Sequence, residues 1–227
     1  MRKQNQTIIF GCNGVLWRSD DLKIVKVVAE KLGFTGYQSE NIQKKLLAGR
    51  FSILNILKDE VVTKQNIISS FDKLFTKLES FGTSAEQIHD EISNPENNYC
   101  EICEGAYSVV TYLYKKGYKL AARSNRSQDV QNVLMRRFNI YNYFDKIVGA
   151  EGSYFKPDLR SLDRIILGRD PSEFVMVVSN VRDLQLSCLL GIRCIFIDSN
   201  MSKGACPIRY NNSTCFVPDI SWVSKIL

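Results

Sequence analysis

The chain of 227 residues contains one histidine, His89. That scarcity removes most histidine-based catalysis, a Ser-His-Asp triad included, unless His89 itself is the base. Long apolar runs are lacking too. None approaches the ~18 residues a membrane helix needs, so no membrane partner is expected. Met1 to Thr7 lead into only three apolar residues before Gly11-Cys12-Asn13-Gly14, which is too short for a secretion signal. A cytoplasmic setting is the expectation. Lys+Arg 30 against Asp+Glu 24 leaves a net charge of only +6. The basic residues are scattered, without long runs. This balance permits an anionic ligand but does not call for nucleic acid, the least supported partner. There is no internal repeat and no low-complexity segment. Hydrophobic residues at 44% and charged residues at 24% are ordinary globular values and exclude disorder or coiled coil for the whole chain.

The seven cysteines are Cys12, Cys100, Cys103, Cys188, Cys194, Cys206 and Cys215. An odd count without a secretion signal argues for free thiols. Cys188 and Cys194 sit in apolar stretches and read as core. Cys100-Glu101-Ile102-Cys103 is a lone CxxC. A structural zinc site takes about four ligands, and His89 lies in a different segment, so no zinc is expected.

Thr7-Ile8-Ile9-Phe10 is a short apolar run ending at a Gly/Asn turn and reads as a buried strand. From Ser19 the period becomes helical. Leu22, Ile24, Val25, Val27, Val28 and Leu32 form one stripe, with Ser19 or Asp20 able to cap it. More helices are predicted near 40–48, 51–58, 64–81 and 84–93, with no strand pattern between about 18 and 98. After Tyr99 strands and helices alternate. The spacing predicts helices near 104–116, 127–138, 159–167, 182–190 and 219–227. It predicts strands at 118–123, 146–149, 174–178, 193–197 and 215–217. This alternation argues an α/β fold, a Rossmann-like parallel sheet with helices on both faces. The first strand belongs to that sheet. The expected division is 1–17 with 99–227 as the α/β core, and 18–98 as an inserted, all-helical domain.

In an open parallel sheet, ligands bind beyond the carboxyl ends of the strands. Those ends carry Gly11-Cys12-Asn13-Gly14, Ser124-Asn125-Arg126, Lys156-Pro157-Asp158 and Ser179-Asn180-Val181-Arg182-Asp183. A hydroxyl, a lysine, amides and helix N-termini can together hold an oxyanion or phosphate. The candidate phosphate-binding residues are Ser124, Asn125 and Lys156. The first strand end has no carboxylate, and no carboxylate pair is present to hold Mg²⁺.

The order and spacing of these segments resemble the haloacid-dehalogenase superfamily, nearest to its phosphoglycolate-phosphatase-like members. The family's first motif, Asp-x-Asp-Gly-Thr-Leu-x-Asp-Ser after an apolar strand, is similar in frame to Ile8 through Ser19. Its second, a strand ending in Ser or Thr, resembles Tyr118–Ser127. Its third, a lysine often followed by proline, resembles Lys156-Pro157. Its fourth, a strand followed by Gly-Asp-x-x-x-Asp and a helix, resembles Val177–Gly191. Asn139 to Asp145 is similar to the family's stretch between the second and third motifs. The helical insert stands where the family carries its cap.

The resemblance implies a nucleophilic Asp where this chain has Gly11, and an acid/base Asp where it has Asn13. It implies a metal held by the first Asp, by a fourth-motif carboxylate and by the backbone carbonyl at the position of Asn13. Counting from Gly191 aligns Asp183 with the motif's last Asp and puts Ser179 on the metal carboxylate; a one-residue shift puts Asn180 there. Neither is acidic. Ser124, Lys156 and Asp183 are retained. The expectation is therefore a catalytically inactive member, a pseudophosphatase that binds a phosphorylated ligand or a protein partner, with no catalytic residues, metal or cofactor. The alternative is a divergent phosphatase or hydrolase with a non-standard nucleophile, and only then would Mg²⁺ be required. Cys12 is the thiol nearest the lost nucleophile, but alternation along the strand aims it at the sheet's flank. Trp17 reads as core.

Overall fold

The computed structural model describes residues 6–31, 33, 68–69, 84–97, 99–150 and 160–227. Two compact units emerge: Met1–Arg18, Cys100–Ala150 and Lys156–Leu227 form the first, and Ser19–Tyr99 with Glu151–Phe155 the second.

The first unit is built on a seven-stranded sheet. In chain order its elements are β1 (Thr7–Gly11), α3 (Ala106–Lys115), β4 (Lys119–Ser127), α4 (Gln128–Arg137), β5 (Lys146–Ala150), α5 (Arg160–Ile166), β6 (Phe174–Val178), α6 (Val181–Leu189), β7 (Arg193–Ile197), β8 (Ile208–Arg209), β9 (Thr214–Val217) and α7 (Val223–Ile226). The strand order is β5-β4-β1-β6-β7-β9-β8. Every pairing is parallel except that of the two-residue edge strand β8 with β9. The α/β reading with a parallel sheet holds.

Strands β1 and β6 are buried at every residue. That is why they read as unbroken apolar runs, since helices cover both faces of the sheet. Alternation sorts their side chains into two cores. Ile8, Phe10 and Cys12 join Leu120, Ala122, Val175 and Val177 on one face, with Val109, Leu113, Val130 and Leu134 of α3 and α4. Ile9, Ala121, Phe174, Met176 and Val178 face the other way, with Leu162 and Ile165 of α5 and Leu186 of α6. Trp17 is fully buried in the first core, its ring 5.9 Å from that of Phe138.

A separate two-stranded sheet pairs β2 (Trp17–Ser19) with β3 (Cys100–Ile102). These three-residue strands escape period analysis because so short a run shows no alternation. Three further differences stand out. Strand β4 runs on to Ser127 rather than stopping at 123. The last helix is a 3₁₀ turn at Ile220–Trp222 followed by one α-turn. Cys188 is exposed on α6 rather than in the core, while Cys194 in β7 is buried. An apolar neighbourhood in sequence does not fix which side of a helix a residue takes.

In the second unit, α1 (Asp21–Lys31) is capped by Asp20, whose Oδ1 accepts the Lys23 N–H at 3.0 Å. Ser84 opens α2 (Ala85–Ser93) with a reciprocal capping box through Gln87. Lys31 of α1 pairs with Glu91 of α2 at 3.6 Å, and Ile24, Ala29 and Ile88 are buried. The helices expected over 40–48 and 51–58, and most of 64–81, lie outside the described residues.

Candidate functional site

From β1 the chain steps outward to β4 and β5, then returns to the other side of β1 for β6 and β7. The C-terminal end of β1 is thus the switch point of the sheet, where crevices form. Three of the expected segments meet there: the loop after Gly11, the distal part of β4 and the start of α6. Lys156, the fourth expected contributor, lies outside the described residues.

The loop after β1 is a tight turn. The Cys12 carbonyl accepts the N–H groups of Val15, Leu16 and Trp17 at 3.2, 2.8 and 3.2 Å, and Gly14 N–H donates to the Trp17 carbonyl at 2.7 Å. Gly14 has φ +76, and a Cβ there would stand 2.5 Å from Ser179 Oγ. The close approach serves a bond: Ser179 Oγ donates to the backbone carbonyl of Asn13 at 2.9 Å. The segments after β1 and β6 are therefore joined directly, side chain to backbone.

Ser124 and Asn125 fall inside β4, where the pairing with β5 shifts register between Arg123 and Ser127. Such a bulge re-aims side chains locally. Ser124 Oγ accepts the Arg126 N–H at 3.1 Å, an ST-turn that leaves its proton to be donated onward. Ser127 then caps α4 by accepting the Val130 N–H at 3.4 Å. Gly149 of β5 donates to Gln128 Oε1 at 2.8 Å, and a Cβ on Gly149 would meet the Gln128 backbone at 2.5 Å.

Asn180 is the N-cap of α6. Its Oδ1 accepts the Asp183 N–H at 2.9 Å, and its Nδ2 donates to Asp183 Oδ2 at 2.6 Å. Asp183 Oδ1 takes Arg123 Nη1 at 3.0 Å, and both side chains are 1% exposed. Arg123 is the residue that sequence reasoning missed. Its signal was present: a charge inside a buried strand requires a buried partner of opposite sign.

The position of this ion pair is informative. Arg123 is in register with Gly11 on the neighbouring strand. Alternation places Ile9, Gly11, Ala121 and Arg123 on the face covered by α6. Strand β1 lies between β4 and β6, so the guanidinium crosses the end of β1 to reach Asp183. It does so on the face toward which any side chain at position 11 would project. Gly11 offers none. Cys12 points to the opposite face, is 2% exposed, and receives Gln131 Nε2 on Sγ at 3.0 Å.

The other thiols give no metal-binding arrangement. Cys100 opens β3, and Cys103 N–H donates to the Leu16 carbonyl at 2.9 Å. Burial pushes the Cys103 thiol above its ordinary pKa, opposed by the neighbouring Arg18. Among the described residues no three His, Cys, Asp or Glu side chains gather into a group able to hold a metal ion.

Comparison with known proteins bears on family and fold. The profile described as haloacid dehalogenase-like hydrolase matches residues 8–197. The phosphoglycolate phosphatase of Aquifex aeolicus (strain VF5) is 26% identical over 190 residues, covering 79% of this chain and 78% of that protein. Among solved structures, the HAD-hydrolase YfnB of Bacillus subtilis, bound to magnesium, superposes with a TM-score of 0.73 at 13% identity over 98% of both chains. The L-2-haloacid dehalogenase of Xanthobacter autotrophicus gives 0.63 at 18% identity, over 100% of this chain and 98% of its own. These structural likenesses establish the fold. With the profile spanning most of its length and the sheet carrying the matching topology, this chain belongs to the haloacid dehalogenase-like hydrolase family.

Proposed function

We propose that this family member is catalytically silent and works by binding, with the C-terminal ends of β1, β4 and β6 as the seat of a phosphorylated ligand or a docked protein partner. The observation that carries this reading is the Arg123–Asp183 ion pair, drawn across β1 on the face of Gly11. Where the family resemblance puts a nucleophilic carboxylate, this chain has a glycine beside a buried guanidinium. Asn13, in the acid/base position, is an amide that does not titrate in the useful range.

A divalent cation does not fit the residues around this point. The Asn13 carbonyl that would face it accepts the Ser179 hydroxyl. Ser179 and Asn180, the two positions aligned with the metal carboxylate, are neutral. Asp183 is held by Arg123 and Asn180. What the site offers an anion is the Ser124 hydroxyl and the Asn125 amide, and the family resemblance adds Lys156 as a proposed third contributor. From the family resemblance, the segment 18–98 is proposed to be the cap. A cytoplasmic setting is supported by seven cysteines that are all free thiols.

The alternative, a divergent phosphatase or hydrolase with a non-standard nucleophile, draws on the likeness to a phosphoglycolate phosphatase. The thiol best placed by sequence, Cys12, works against it because it is buried on the other face of the sheet.

Thermal denaturation with inorganic phosphate and phosphoglycolate tests the binding role. A ligand at about 100 times its Kd stabilises by about 2.7 kcal/mol, which at this size raises Tm by about 5–10 °C. The rise should disappear in Ser124→Ala and Lys156→Ala. No rise in the wild type, or a rise that survives both substitutions, refutes phosphate binding at this site and leaves the protein partner.

A further inference from the structure

We propose that a cavity at the opposite end of the sheet, beside the N-terminal ends of β7 and β9, is a second anion site that takes a small oligophosphate. The cavity has a volume of about 570 Å³, and Arg193, Arg209 and Lys225 line it together with Asn211, Ser213 and Thr214. This volume falls within the range of small-ligand sites, roughly 300–1,000 Å³. No acidic side chain lines it. None of the three cations is ion-paired to a carboxylate among the described residues.

Three like charges around one cavity repel each other, and a multivalent anion relieves that repulsion while gaining charge-assisted hydrogen bonds. Several wall residues are braced within the chain. Arg193 opens β7, and Arg209 sits on β8, paired with Cys215 of β9. Asn211 Oδ1 accepts the N–H groups of Ser213 and Thr214 at 2.8 and 2.7 Å, locking the β8–β9 turn. With that oxygen committed to the turn, the Asn211 amide has only N–H donors left to offer. Lys225 is held against the Trp222 ring, its Nζ 4.0 Å from the centroid. Arg193 and Arg209 also act on the Cys215 thiol, opposing the rise in pKa that burial gives it. Two guanidiniums can each grip a phosphate through paired N–H groups, with an ammonium as a third point of charge. One phosphate cannot satisfy all three, which is why the ligand class has more than one.

Tripolyphosphate is the probe, titrated calorimetrically into the full chain. The expected result is binding at least tenfold tighter than that of inorganic phosphate and weakened by added salt. Arg209→Glu and Lys225→Glu, both exposed positions, should each lower affinity about tenfold or more, the loss expected when a charge-assisted contact becomes a repulsion. Lys26→Glu, a reversal on α1 in the second unit, should leave affinity unchanged. Melting of the unliganded variants checks that they fold, and Arg209→Ala with Lys225→Ala repeats the comparison without a new negative charge. The proposal is overturned by no binding at millimolar tripolyphosphate, by binding indifferent to Arg209 and Lys225, or by equal weakening in Lys26→Glu. A strong preference for single-stranded nucleic acid at equal phosphate concentration would overturn the small-ligand assignment.

Discussion

A buried arginine depends on its carboxylate. Removing either partner of the Arg123–Asp183 pair leaves the other charged and desolvated, so Arg123→Met and Asp183→Asn should each destabilise by about 3–5 kcal/mol in urea denaturation. Arg123→Met with Asp183→Leu should cost clearly less than the sum of the two single losses, because it removes both charges together. Costs that add in full would mean the two groups do not depend on each other. Cys194 gives a pH signature. Burial in the core pushes its thiol up to about 12. The folded state keeps the thiol neutral while an unfolded thiol ionises. Its stabilising contribution is therefore complete below about pH 9 and is lost as pH rises toward 12. Wild type should lose more stability over that window than Cys194→Ala; parallel alkaline curves would contradict this. In thiol labelling at neutral pH, the exposed Cys188 and Cys206 should react first, with the buried Cys12 and Cys194 last.

Among the elements, two glycines set how closely neighbours approach. Gly149→Ala drives a Cβ into the backbone of Gln128, and overpacking of this kind costs about 1–3 kcal/mol. Gly14→Ala meets both a left-handed φ and Ser179 Oγ. Its cost should exceed the ~1–2 kcal/mol of the φ penalty alone. In a Ser179→Ala background the excess should shrink, since the hydroxyl is the atom struck; an unchanged cost would place the strain in the backbone alone.

The same elements mark what the sequence discloses. The ranges 174–178 and 193–197 are legible to the residue because a strand buried on both faces is an unbroken apolar run bounded by turn residues. Gly11, Asn13 and Ser179 are legible as positions at strand ends. Their bonds are not: the contact from Ser179 to Asn13 spans 166 residues, and no local pattern encodes it. The bulge that puts Ser124 and Asn125 inside β4 depends on its pairing with β5. The cluster of Arg193, Arg209 and Lys225 exists only once β7, β8 and the C-terminal turn are folded together, which is why the basic residues look scattered along the chain.

At the scale of the whole molecule, the family fold is kept, and our proposal is that the chemistry at its switch point is not. A nucleophile, an acid/base and a metal carboxylate operate as a unit, and loss of one key member can cost on the order of 10⁶ in rate. Gly11→Asp alone should therefore create no phosphatase activity. The new carboxylate would stand on the face occupied by Arg123 and compete with Asp183 for it. The most direct test of the account is hydrolysis of a generic phosphomonoester by the wild-type chain, with and without Mg²⁺, beside Lys156→Ala. The account predicts no turnover above the uncatalysed rate in either protein and no response to Mg²⁺. Turnover by the wild type that needs Mg²⁺ and is lost in Lys156→Ala would contradict it, and would mean that another group has taken the place of the aspartate absent at Gly11.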